Sequence, residues 1–406
     1  MPKNLLFLLF IFISAAGWSQ NLTVSAKVQD EETKEVLGFA SVGIKGVPIG
    51  TISNGQGEFD FHFPAAHRND ILVISMMGYK NFESPIWALL DNPSSIIYMT
   101  KSAIELQEVV VSDTLTGADI LGIAMSRIDS NYPMEPFLLE GFYRDVKKVG
   151  GTYISLLEAA VKIFDENYTE PRNKFKLRER VKLLEVRKSI GYDSKFTNYF
   201  DQINLLEDLL LHNDVRYRKI AIEEDKMDQV KREKNSSFDN HEVYVLSFNH
   251  GRTVKIFIEK DQYSIIHLEV EEFGDGYLSK KRNLISKYVA LKKSIDFKKF
   301  NGKMYPSFFA VTSKVNWYDV KTNELKFETE LSQQLLINKV HANTSERITS
   351  TEKMRNYSLQ YQDQAYNKQF WENYNVIKET PLDSKILDDL EKMAPLKKQF
   401  EAYSEQ

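Results

Sequence analysis

The chain has 406 residues, a near-balanced charge (53 Lys and Arg against 57 Asp and Glu, net −4) and no cysteine. The balance excludes a dedicated nucleic-acid binder, which would carry a basic excess, and the missing cysteine excludes disulfides, thiolate metal sites, a cysteine nucleophile and a cysteine-linked lipid anchor. With 42% hydrophobic and 27% charged residues the chain can bury a core, and at about 150 residues per domain its length suggests two or three domains.

Lys3 precedes an unbroken apolar run from Leu5 to Ala16, and Gly17 and Ser19 stand three and one residues before a cut at Gln20. This is the pattern of a secretory signal peptide over residues 1–19. The run is shorter than the roughly 20 apolar residues that span a bilayer. The expectation is an exported protein, periplasmic, outer-membrane associated or extracellular, with no transmembrane segment after cleavage.

Residues 20–100 read as all-β. Val24–Val28 and Ala40–Ile44 alternate apolar and polar residues, Phe59, Phe61 and Phe63 fall two apart on one strand face, and Ile71–Met76 is a short apolar run. Turn residues separate them at Asp30–Glu32, Ser53–Gly57 and Arg68–Asp70. Short strands at this spacing predict a small antiparallel sandwich. Asn54, Gly55 and Gly57 suit a tight turn because each tolerates positive φ.

The order Val28, Asp30, Thr33, Val36–Val42, Gly50-Thr51, Ser53–Phe59 and Gly78-Tyr79 is also distinctive. It resembles the carboxypeptidase-like regulatory domain, a transthyretin-like β-sandwich common in exported proteins of Bacteroidetes-type bacteria. Leu106–Val111 resembles the segment that follows this domain in many such proteins, TonB-dependent receptors among them, and residues 101–115 read as a linker. The remaining chain is too short for a receptor barrel. In metallocarboxypeptidases the domain accompanies a zinc enzyme, but none of the seven histidines here is followed three residues on by Glu. The resemblance therefore implies a fold and no peptidase activity.

Residues 116–406 read as α+β. Asp119–Ile128 has helical apolar spacing and stops at Asn131–Pro133. Phe142–Val149 and Tyr153–Phe164 flank Gly150-Gly151 as a hairpin, Val181–Val186 is a strand, and Phe200–Leu211 is an amphipathic helix. Strands then follow closely: Val243–Phe248, Val254–Ile258, Tyr263–Val270, Ile285–Ile295, Phe297–Val315 with a hairpin signal at Asn301-Gly302, and Leu325–Val340. Short polar connections imply an antiparallel meander. Tyr366–Tyr374 and Asp383–Lys392 return to helix, and the charge-rich 223–235 reads as a solvated loop. The strings at 254–266 and 297–307 carry a resemblance, over roughly residues 243–340, to the lipoprotein-sorting half-barrel, which implies a strongly curved antiparallel sheet that wraps a helix and encloses an apolar cavity.

No serine-hydrolase elbow, P-loop, dinucleotide fingerprint or EF-hand is present. Arg144, Glu158 and Arg187 are charges inside apolar, strand-like segments. A three-residue loop at Gly150-Gly151 would set Arg144 opposite Glu158 on one face, and a two-residue loop would put them on opposite faces. Paired inside, they form either a structural ion pair or a clamp for a ligand's polar head, which arginine's planar fork suits. Trp317, among Tyr305, Phe308, Phe309 and Tyr318, is either sheet core or the lining of an acyl-chain cavity. The expected function is non-catalytic: an envelope protein that binds an apolar or lipid-like ligand or a partner protein, without cofactor, metal or nucleic acid. One rival is a pure interaction module working through a sandwich edge strand. The other is a hydrolase of unfamiliar type, built where His241, His250 or His267 meets Glu269.

Overall fold

The computed structural model describes residues 21–91, 95–103, 114–189, 197–200, 205–220, 222, 224–355, 359–362, 364–378, 388–392 and 394–402. The expected signal peptide, the Leu106–Val111 segment and the first half of the Asp383–Lys392 helix lie outside them.

The first seven strands form two facing sheets. One holds β1 (Asn21–Asp30), β4 (Glu58–Pro64) and β7 (Ser95–Met99); the other holds β2 (Ser41–Ile44), β3 (Gly50–Ile52), β5 (Ile71–Ser75) and β6 (Phe82–Pro85). Strand alternation fixes what lies between them. Val24, Ala26 and Val28 share a core with Phe59, Phe61 and Phe63 and with Val42, Leu72 and Ile74, and helix α1 (Ile86–Leu90) adds Ile86. Before β4 the Asn54 side-chain oxygen accepts the amides of Gln56 and Glu58 at 2.9 and 2.8 Å. Of the three residues expected to accept positive φ in this turn, Gly57 alone does so, at +75°. A Cβ there would lie 2.4 Å from the Val28 carbonyl oxygen.

The remaining strands are β8 (Phe137–Val149), β9 (Thr152–Asp165), β10 (Arg180–Lys188), β11 (Lys231–Arg232), β12 (Ser236–Phe238), β13 (His241–Asn249), β14 (Thr253–Glu259), β15 (Ile265–Phe273), β16 (Tyr277–Lys281), β17 (Leu284–Phe300), β18 (Lys303–Asp319) and β19 (Leu325–His341). They build one curved antiparallel sheet in the order β10-β9-β8-β19-β18-β17-β15-β14-β13-β11, with β12 on β13 and β16 on β17. Asn301 and Gly302 take φ +48° and +75° in the turn that joins β17 to β18. Positive φ at both residues gives that turn the twist of the strands it joins. Bulges at Tyr288/Ala290, Asp296/Phe297, Trp317/Tyr318 and Ile337/Lys339 bend the three longest strands and so help the sheet curl.

Helices cover one face of this sheet. Helix α2 (Gly117–Ser126) begins with a capping box, in which Thr116 Oγ1 accepts the Asp119 amide at 3.1 Å and the Asp119 carboxylate accepts the Thr116 amide at 2.9 Å. Its Ile120 and Leu121, α3 (Ile128–Asn131) through Ile128, and α4 (Leu205–Leu211) through Leu206 and Leu209 share a core with Tyr143, Leu157, Val161 and Leu335. The sandwich lies against the opposite face. Pro48 O accepts the Val340 amide at 3.0 Å, and the Gly78 amide donates to Ser237 O at 2.7 Å. Helix α5 (Lys368–Asn373) and the strap after it cover the same face, where Trp371 and Ile377 pack with Ile52, Phe142, Phe308 and Leu336. The Asn375 side chain bonds both the amide and the carbonyl of His62, at 2.8 and 2.9 Å. A last helix, α6 (Leu396–Ala402), follows.

Candidate ligand cavity

Residues directly opposed across antiparallel strands share a face. The pairs Trp317–Phe327, Val315–Thr329 and Ser313–Leu331 therefore form one layer, which continues through Thr329–Val149 and Leu331–Lys147 into β8. This is the helix-covered face. Tyr199 meets Trp317 and Phe327 edge-on, with ring centroids at 4.7 and 5.1 Å. Gln333 Nε2 donates to Leu205 O at 2.8 Å and holds the start of α4 on the sheet. Between that segment and the strands lies an open cavity of about 700 Å³. Its apolar wall is Trp317, Val315, Leu331, Phe200 and Leu205, and Ser286, Ser313 and Thr329 supply hydroxyls. Trp317 Nε1 donates to Thr329 Oγ1 at 3.1 Å, which satisfies the indole's one polar atom.

Arg144, Glu158 and Arg187 come together, but on the other face. The Gly150-Gly151 loop has two residues, since Val149 pairs with Thr152. By simple counting that loop separates Arg144 from Glu158. A register shift at Lys147/Lys148, where Ile154 is the extra residue, restores the facing pair. Arg144 Nε donates to Glu158 Oε1 at 2.7 Å and Arg187 Nε to Oε2 at 2.6 Å. Arg144 Nη2 also donates to Ile377 O at 2.9 Å, and the Arg187 guanidinium lies 4.4 Å from the Trp371 ring centroid. Burial pushes the Glu158 pKa up, but Arg187 and Arg144 outweigh it and hold it below the ordinary glutamate value. Members of the triad hydrogen-bond one another and Ile377 O, whereas Trp317 lines the cavity.

The sandwich carries its own signature. The buried Ser53 hydroxyl donates to Leu37 O at 3.0 Å and accepts the Ala40 amide at 2.9 Å, beside the Asn54 and Gly57 turn. Residues 24–111 match the model of the CarboxypepD_reg-like domain. No curated protein matches the chain. Among solved structures the chain is similar to lipovitellin, described for its lipid–protein interactions (9% identity, TM-score 0.25, 57% of this chain), and it spans 28% of that protein's length. It is also similar to MucB in complex with MucA(peri) (8% identity, TM-score 0.17, 56% of this chain and 100% of that one). A third similar structure is a Bacteroides fragilis NCTC 9343 protein of unknown function (8% identity, TM-score 0.16, 79% and 99%).

Where the regulatory-like domain meets the sheet, a second cavity of about 350 Å³ is lined by Phe39, Met76, Phe308, His267, Glu269 and Asp296. His267 Nδ1 lies 2.5 Å from Asp296 Oδ1 and Nε2 lies 3.1 Å from Glu269 Oε1. Burial lowers the imidazole pKa, but the two carboxylates outweigh it and hold it up at about 10. His267 is thus an imidazolium at neutral pH, with no lone pair for base catalysis. His241 sits 2.9 Å from Asp261 and His250 3.1 Å from Lys226 Nζ, and neither lines the cavity with His267. His241, Glu259 and Asp261 could together hold a metal ion. Lys299 Nζ already bonds both Glu259 oxygens at 2.9 Å, so a metal would have to displace it.

The raised His267 pKa has a sign that can be tested. Its stabilisation is complete below 6.5, the unperturbed value, and is lost as pH rises towards about 10. The shift sets a ceiling of about 5 kcal/mol. Asp296 and Glu269 are well exposed, so screening leaves about 1–2 kcal/mol. Burial lowers the pKa of Lys293 and Lys298, which tilts stability the other way, so the His267 contribution is read against a variant. Urea unfolding between about pH 6 and pH 10 should show the wild type losing its advantage over His267→Gln by that amount. Parallel curves would mean that the imidazolium contributes nothing.

Proposed function

We propose that this chain is a non-catalytic, exported envelope protein whose curved sheet binds an apolar or lipid-like ligand in the Trp317 cavity. The observation that carries this reading is the cavity itself. Its volume of about 700 Å³ falls within the range of roughly 300–1,000 Å³ that small-molecule sites occupy, and its lining joins the apolar wall to hydroxyls and to Asn198, Asp208 and Lys281, which suits a ligand with an apolar body and a polar head. Among the described residues the regulatory-like domain contributes none to the lining. The signal-peptide pattern supports export, and the reading needs no cofactor or metal.

Dansyl-labelled undecanoic acid tests it. Bound in the cavity, the probe should quench Trp317 by energy transfer, and Trp317→Phe should remove most of that signal while binding persists. Ser313→Phe fills the cavity and should weaken binding by about tenfold or more, the loss of a few favourable apolar contacts. Native mass spectrometry of the mature chain from its exporting host should show an extractable lipid-like adduct. A clean apo mass together with unchanged probe binding in Ser313→Phe would overturn the reading.

One observation favours a second reading. Among the described residues β7 is an outer strand of its sheet, and its Ile96 and Tyr98 are exposed. An extended partner segment adding to that edge fits such a surface. Ile96→Lys should then abolish capture of the partner while dansyl binding stays unchanged.

A further inference from the structure

Two hairpin tips stand side by side at the mouth of the cavity. Arg282 and Asn283 form the β16–β17 turn, residues 320–324 join β18 to β19, and the Val320 amide donates to Asn283 O at 2.8 Å. Val320 and Leu325 flank one tip and are 41% and 53% exposed, and Tyr277 and Leu278, at the start of β16, which leads up to the other, are 64% and 51% exposed. Single exposed apolar residues are ordinary, but a group of them marks a contact surface. Leu278 also lines the cavity, and Lys281 Nζ donates to Asn198 O in the segment that walls it. Patch and mouth are continuous.

Charge supplies the partner's sign. Residues 277–286 hold Lys280, Lys281 and Arg282, all exposed, and no acid. The neighbouring tip adds no net negative charge, since Asp319 and Glu324 are matched by Lys321 and Lys326, and Glu324 pairs with Lys326 at 3.0 Å. Asp275, in the turn before β16, is the nearest acid on the N-terminal side. Arg282 takes φ +53°, a conformation that glycine or asparagine adopts at much lower cost in a hairpin turn. Turn selection alone does not place an arginine there. A strained residue held at an exposed tip points to use of its side chain.

We propose that these tips dock on an anionic lipid surface. Tyr277, Leu278, Val320 and Leu325 enter the headgroup layer while Lys280, Lys281 and Arg282 meet lipid phosphates, the combination that interfacial anchors use. This deepens the ligand reading by naming where the cavity meets its ligand.

The test is co-sedimentation of the mature chain with extruded vesicles of phosphatidylcholine, alone or mixed with phosphatidylglycerol. The chain should sediment with the anionic vesicles and release as salt rises. Neutralising Lys280 and Arg282 together (K280Q, R282Q) should weaken partition roughly thirtyfold, at about fivefold per cation. Arg282→Gly separates docking from folding, because it should raise the urea midpoint by relaxing the turn and still weaken partition about fivefold. Equal sedimentation with both vesicle types, or an unaffected double variant, would overturn the proposal. Dansyl-labelled undecanoic acid binding without vesicles is scored separately. Binding of the probe without docking rejects the lipid surface and leaves the cavity reading standing, and docking without probe binding does the reverse.

Discussion

Glu158→Ala is expected to cost about 3–5 kcal/mol and to loosen the C-terminal strap, because it leaves two buried arginines facing each other without a counter-charge. Glu158 and Arg144 are buried, and Arg187 is nearly so. Removing the carboxylate also frees the arginines that hold the strap, through the Arg144 bond to Ile377 O and the Arg187 contacts with Trp371 and Phe400. Arginine does not lose its proton in the accessible range, so the deficit should be flat in pH above neutrality. In the wild type the lowered Glu158 pKa gives stabilisation that is present above 4.5, the ordinary value, and lost as pH falls through the folded one. Urea unfolding and limited proteolysis at the strap read both effects. Replacing all three residues together (R144M, E158L, R187M) should recover most of the loss, since an apolar set needs no counter-charge. A single-variant deficit under about 1 kcal/mol would show that water reaches the triad and screens it.

The strands were legible because short-range rules decide them. Phe59, Phe61 and Phe63 at period two point into the sandwich core as their spacing requires, and Asn301-Gly302 turns the chain where the sequence marks it. The Arg144–Glu158 pairing shows where such rules end. Loop length alone misplaces it, and a bulge at Ile154 that no turn residue announces puts it right. Trp317 illustrates the same limit. Its residue type fits a cavity wall, but only the ladder from β18 to β8 shows that it lies across the sheet from the arginines.

Long-range contacts were not legible at all. Nothing in the sequence says that His62 of the sandwich will bond Asn375, more than three hundred residues away. The charge-rich 223–235 reads as a solvated loop, yet Lys231 and Arg232 add a strand to β13. His267 and Glu269 are legible as neighbours on one strand face, but Asp296 joins them only through the β15–β17 register. Most instructive is Arg216. It stands in a charge-rich stretch, His212–Lys219, and it is fully buried.

Arg216→Met should therefore be as damaging as Glu158→Ala, at about 3–5 kcal/mol, but with the opposite response to acid. Arg216 Nε donates to Asp165 Oδ2 at 2.9 Å and its Nη1 to Thr169 O. Glu179 is buried close by and accepts from the Tyr217 hydroxyl at 2.8 Å. Burial raises the Glu179 pKa, the Asp165 charge raises it further, and Arg216 holds it down. Without Arg216 the two carboxylates repel, and the nearest cation to Asp165 is Arg178 at 4.0 Å. A carboxyl whose folded pKa is raised binds more protons folded than unfolded, so stability rises as pH falls. The Arg216→Met deficit should shrink between about pH 8 and pH 5, where the Glu158→Ala deficit stays level. Glu179→Gln added to Arg216→Met should remove part of the repulsion and flatten the pH response. A deficit equal at both pH values would mean that Arg216 is held for its contact with the Tyr168 ring, 5.3 Å away, and for its packing, rather than for the charges it neutralises.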